Sequence, residues 1–119
     1  MLVAMTTQID QVPSLEERLE QPEPRDMRAD VVFAALSDPL RISIVQRLMS
    51  EGDDAFRSCT WVGIDRPKST LTHHFRVLRE AGIIEQRRYG TERRSRVRMD
   101  DLAARFPGLL EMVLAAPLG

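Results

Sequence analysis

Along residues 65–82, DRPKSTLTHHFRVLREAG, Leu71, Phe75 and Leu78 fall on one stripe of a helix turning about 100° per residue. His74 and Ala81 lie on the edge of that stripe, Ser69, His73 and Arg76 point the other way, and Thr70 and Thr72 flank the polar face. Asp65 is placed to cap this helix, Pro67 suits a first turn without N–H partners, and Gly82 suits a left-handed stop. Upstream, Ala29, Val32, Phe33 and Leu36 recur at helical spacing and predict a helix from near Asp26. Ser37-Asp38-Pro39 closes it and opens another, with Asp38 as cap, Ile44, Val45 and Leu48 on one face, and Gly52 as the stop. Residues 53–64 show no clean period and predict a short or irregular helix.

After Gly82 the pattern becomes IIEQRRYGTERRSRVRM, two strand-like segments around Tyr89-Gly90-Thr91-Glu92, which predicts a hairpin. The last stretch carries Leu102, Phe106, Leu109, Leu110, Val113 and Leu114, interrupted at Pro107-Gly108. At the other end, Met1 to Val12 has no period and reads as a mobile arm. Ser14 and Glu17 make a capping-box signal for a short helical piece, which Pro22 and Pro24 end. The chain therefore divides into a flexible arm, 1–25, and one mainly α domain with a β-hairpin, 26–115.

Composition sharpens this division. A chain of 119 residues is long enough to bury a core without disulfides, and its single cysteine, Cys59, forms no internal bridge. MLVAM is no basic leader and too short to span a bilayer, so a soluble cytoplasmic protein with no membrane partner is expected. Net charge is −1, but it is unevenly spread. Residues 1–38 hold three basic and eight acidic side chains, residues 39–99 thirteen and seven, and residues 100–119 one and three. A basic middle between acidic ends suits one surface that faces phosphates and others that do not.

The polar face of the 65–82 helix is short and hydrogen-bonding near its N-terminal end, as a helix entering the major groove requires, but an ordinary solvated face has the same character. The hairpin adds Arg87, Arg88, Arg93, Arg94, Arg96 and Arg98, against Glu85 and Glu92. Guanidinium groups bind phosphate bidentately and enter narrow minor grooves; basic side chains also keep exposed edge strands soluble. Six arginines directly after the amphipathic helix favour a nucleic-acid-binding wing. Val32, Phe33, Leu109 and Val113 exceed the needs of one small core and are candidates for a subunit interface, although completing a single core would also use them.

LSDPLRISIVQRLM followed by KSTLTHHFRVLREAGIIEQRRYGTERRSRVRM resembles the winged helix-turn-helix repressors of the arsenical-resistance (ArsR/SmtB) family, over about residues 27–115. The resemblance implies a dimeric winged helix-turn-helix fold. It implies a homodimer paired through first and last helices, reading an inverted-repeat operator in double-stranded DNA and released by an inducer, here unidentified. By position it places Lys68, Ser69, Thr70, Thr72, His73 and Arg76 on the reading helix, and Arg87, Arg88, Arg93, Arg94 and Arg96 on the wing.

Two departures bear on regulation. Metal-sensing members carry paired cysteines before the reading helix, or His and acidic ligands in the last helix, and this chain has neither. His73 and His74 are adjacent and point apart, which suits DNA contact for the first and packing against the supporting helix for the second. No metal and no cofactor is therefore expected, and Cys59 reads as a small buried residue more readily than as a thiol sensor. No Gly-rich phosphate loop, nucleophile elbow or His-carboxylate pair appears, so no enzyme is expected. The alternative is a winged-helix dimerisation or protein-interaction module without operator binding, against which six charges to desolvate at an interface core argue.

Overall fold

The computed structural model describes residues 16–117. In chain order these form β1 (Glu16–Arg18), a single 3-10 turn (Pro24–Asp26), α1 (Ala29–Ala35), α2 (Pro39–Leu48), β2 (Arg57–Ser58), α3 (Cys59–Val62), α4 (Lys68–Ala81), β3 (Ile84–Tyr89), β4 (Glu92–Val97), α5 (Met99–Arg105) and α6 (Leu109–Ala115). The strands make one antiparallel sheet in the order β1-β3-β4-β2. Helices plus a hairpin whose sheet gains two short edge strands is an architecture compatible with a winged helix. Among the described residues no helix is long and apolar enough to cross a membrane.

Local chemistry sets most boundaries. The Asp38 carboxylate accepts from the Leu40 N–H at 2.7 Å and the Arg41 N–H at 3.3 Å, and Pro39 takes the first helical position of α2. That helix closes at Met49, and Gly52, at φ +71°, sits in the turn beyond rather than at the stop itself. The Ser58 hydroxyl accepts from the Trp61 N–H and starts α3, a single turn, as the missing period of residues 53–64 suggests. Gly90 occupies the hairpin position that a type II′ turn reserves for glycine, at φ +64°, and Tyr89 pairs with Glu92. Val32, Ile44, Val45, Leu78, Ile84 and Leu102 fill the core between α1, α2, α4, α5 and the sheet.

Four expectations need correction. Residues 16–18 form a strand along β3, not part of a helix; Ser14 and the arm before it lie outside the described residues. The first apolar helix begins at Ala29, because the Pro24–Asp26 turn occupies the approach and Met27 buries its side chain. The start of α4 falls at Pro67 with no side-chain cap, so Asp65 does not hold it. Finally, Val32, Leu109 and Val113 are buried in the core of one chain and leave little surface for a second; of that group only Phe33 is exposed, at 58%. The helical register explains this: Val32 faces α4 while its neighbours Val31 and Phe33 point outward. Met112 and Leu114 are the exposed apolar residues of α6.

Candidate nucleic-acid interface

Packing turns one side of α4 outward. Phe75, Leu78 and Ala81 are buried, Leu71 is half-buried, and contacts with α1, α2 and β3 fix the helix from behind. Lys68, Ser69, Thr72, His73 and Arg76 are consequently exposed and line one shallow open depression of about 400 Å³. Thr70 is half-buried at its margin. Arg76 lies 3.9 Å from Glu80 and 3.5 Å from the His73 Nδ1, contacts too long and exposed to hold it against a better anion.

The two histidines have separate environments. His74 meets α2, where Arg41 donates to its Nδ1 at 3.0 Å. A guanidinium only donates, so the neutral ring carries its proton on Nε2. Burial holds the His74 pKa below its ordinary value, with Asp38 opposing and Arg41 and His73 adding to the shift. The packing partner is thus α2, not the short helix α3 before the turn. His73 remains on the outer face, its ring centroid 5.4 Å from that of His74. Among the described residues no three His, Cys, Asp or Glu side chains are placed to hold a metal ion. Cys59 is half-buried at the start of α3, where burial pushes its thiol pKa up against the opposing charges of Arg93 and Lys68, so the thiolate is disfavoured.

Alternation along the hairpin divides its arginines between two faces. Ile84, Gln86 and Arg88 share the inner face with their cross-strand partners Val97, Ser95 and Arg93; Glu85, Arg87 and Tyr89 share the outer face with Arg96, Arg94 and Glu92. On the outer face Glu85 is almost wholly buried beneath Arg18 at 3.0 Å, Arg87 at 3.2 Å and Arg96 at 3.0 Å, and Arg87 and Arg96 also stack on Phe56. Burial raises the Glu85 pKa, yet Arg96 and Arg87 outweigh it and hold the carboxyl below 4.5. Arg94 pairs with Glu92 and lies over Tyr89. Arg98 leaves the wing entirely: it is buried, pairs with Asp101 at 3.0 Å and donates to the Pro22 carbonyl at 2.7 Å. On the inner face Arg88 pairs with Glu17, whereas the Arg93 side chain makes no ion pair or hydrogen bond among the described residues, and its charge is felt at Cys59 and Arg79. The structure thus brings Arg93 toward the α3–α4 side and turns Arg87, Arg94 and Arg96 away from it.

Sequence reasoning missed Arg79, Gln86 and Ser95. Arg79 donates to the Gln86 Oε1 at 2.6 Å and to the Glu20 carbonyl at 3.1 Å, and Gln86 donates to the Ser95 Oγ at 3.0 Å. Polar residues at strand positions in phase with Ile84 and Val97 were the available signal.

No family model matches the chain. It is 35% identical over 82 residues to YceK, an uncharacterized HTH-type transcriptional regulator of Bacillus subtilis, an alignment covering 67% of this chain and 80% of that protein. An uncharacterized HTH-type transcriptional regulator of Methanocaldococcus jannaschii is 34% identical over 67 residues, 54% of this chain and 71% of that protein.

Proposed function

The chain belongs to the HTH-type transcriptional regulators, and from that membership we propose that it is a homodimeric repressor of the ArsR/SmtB type, bound to an inverted-repeat operator and released by an inducer. The observation that carries the proposal is the outer face of α4: short hydrogen-bonding side chains flanked by Lys68 and Arg76, on a helix held from behind by a dry core. Ser69, Thr72 and His73 then reach base edges in the major groove, and Lys68, Thr70 and Arg76 reach bases or phosphates at its rim. On the wing, Arg93 is the principal phosphate contact and Arg88 the second once it leaves Glu17. Arg87, Arg94 and Arg96 contribute less, because their charges already face carboxylates. Exposed Val31 and Phe33 on α1, with Met112 and Leu114 on α6, are the surfaces that pair two copies so that their reading helices enter successive grooves about 34–36 Å apart.

Selection of bound sequences from random duplexes at a stated salt concentration tests this reading. Enrichment of a two-fold symmetric site, with half-sites about one helical turn apart, is expected. Binding without enrichment of any sequence, or no binding, would overturn it in favour of a protein-interaction module.

A further inference from the structure

We infer that Arg79 is a positioning residue that fixes the angle between the reading helix and the wing, an inference resting on the DNA-reading role proposed above. Arg79 lies three residues beyond Arg76, about 4.5 Å along α4. The cross-strand pair Gln86 and Ser95 lies two residues below the pair Arg88 and Arg93, about 7 Å along the strands. One guanidinium therefore joins the helix that presents Arg76 to the sheet that presents Arg93.

The bonds can set an angle because their strand end is buried, with Arg79 reaching it from the half-buried side of α4. Gln86 and Ser95 are each 1% exposed, so swinging the hairpin away would leave buried donors and acceptors without partners. Apolar side chains there would fill the same space without directing the strands. Beyond this pair β3 carries only half-buried residues, held by the stacking of Arg87 on Phe56 and of Arg94 on Tyr89 rather than by a buried core. The Nε of Arg79 also donates to the Glu20 carbonyl, and the Leu19 N–H donates to the Gln86 carbonyl at 3.0 Å, which ties the segment after β1 to the same joint.

The test pairs a measurement on the free protein with one on its complex. In a Cys59→Ser background, nitroxides attached through Ser69→Cys and Thr91→Cys report the helix-to-wing distance by pulsed electron resonance. The parent is expected to give one narrow distance distribution, Arg79→Met at least a twofold broader one, and Arg79→Lys most of the parent's narrowness. On DNA, without the labels, Arg79→Met is expected to lose at least tenfold in operator-over-random discrimination and the ethylation interference at wing phosphates, while keeping its groove contacts. Arg79→Lys should recover the larger part of both. A folded Arg79→Met with an unchanged distribution and unchanged discrimination would overturn the inference, as would Arg79→Lys behaving no better than Arg79→Met. Should Arg79→Met fail to fold, Gln86→Met, which keeps the volume and leaves the bond to Glu20, decides by the same readouts. If the parent protein selects no DNA, the proposed function fails, and the distance distributions alone still decide whether Arg79 holds the joint.

Discussion

Thr72 and His73 project from the exposed side of α4, and Leu78 holds its opposite side in the core, so substitutions on the two sides should separate reading from folding. Thr72→Ala or His73→Ala should cost about 1–3 kcal/mol on the selected operator and relax choice at one base position, with little change on random duplexes. Leu78→Ala should instead destabilise the fold by about 2–5 kcal/mol and weaken all binding together. Affinities against single-base operator variants, beside thermal unfolding, distinguish the outcomes. Glu85 gives a second residue-scale prediction. Its folded pKa lies below 4.5, so the folded state holds that proton less tightly than the unfolded chain. Its contribution is fully present above pH 4.5 and is lost as pH falls through the depressed folded value. Glu85→Gln should therefore cost about 1–3 kcal/mol at pH 7, the worth of charged hydrogen bonds whose arginines stay partly hydrated. The gap to the parent should narrow in denaturant titrations as pH falls below 4.5 and close once the depressed folded value is passed.

Elements whose ends are set by their own residues were legible in the sequence. Asp38 and Pro39 start α2 through neighbouring N–H groups, Gly82 ends α4 in the left-handed region at φ +90°, and Gly90 turns the hairpin. Each depends on interactions within a few residues. The start of α4 is not legible in this way, because Asp65 has the chemistry of a cap but lies two residues before the N-cap position, which Pro67 takes. The strand at residues 16–18 was illegible for a different reason: its partner Arg88 is 71 residues away, and a capping-box pattern carries no information about so remote a neighbour. Gly82 also meets a packing demand that its role as a stop does not suggest. A Cβ there would lie 2.8 Å from the Met27 Cε, 2.9 Å from its Cγ and 3.1 Å from the Pro22 Cγ, whereas a Cβ at Gly90 meets nothing within 4 Å. Gly82→Ala should thus cost about 2–4 kcal/mol, strain plus crowding, against about 1 kcal/mol for Gly90→Ala, as measured by chemical denaturation.

At the scale of the whole molecule, counting apolar residues on a helix says how many are present but not which way each faces. Val113 and Phe33 both looked surplus to one core, and only the packed chain separates them. Phe33→Asp should leave the subunit folded and shift a dimer toward monomer in sedimentation at micromolar concentration. Val113→Asp should unfold the subunit, because an unpaired carboxylate in the core is far costlier than one at a surface. The wing was legible as a basic hairpin, but its division into a carboxylate-filled outer face and a barer inner one depends on β1, Phe56 and Asp54 arriving from elsewhere in the chain.

The remote pairing of β1 also orders events in time. Residues 68–97 form a helix and hairpin from contiguous chain, whose contacts close short loops, whereas β1 reaches β3 only across about seventy residues and holds it by three pairs. The β1–β3 ladder should be the last part of the sheet to form and the first to open, a subglobal unit that detaches while the hairpin remains. Native-state amide exchange followed by mass spectrometry checks this. The Leu19 N–H, bonded to the Gln86 carbonyl, should exchange well before the amides that join β3 to β4, and equal protection of both ladders would show that the sheet opens as one piece.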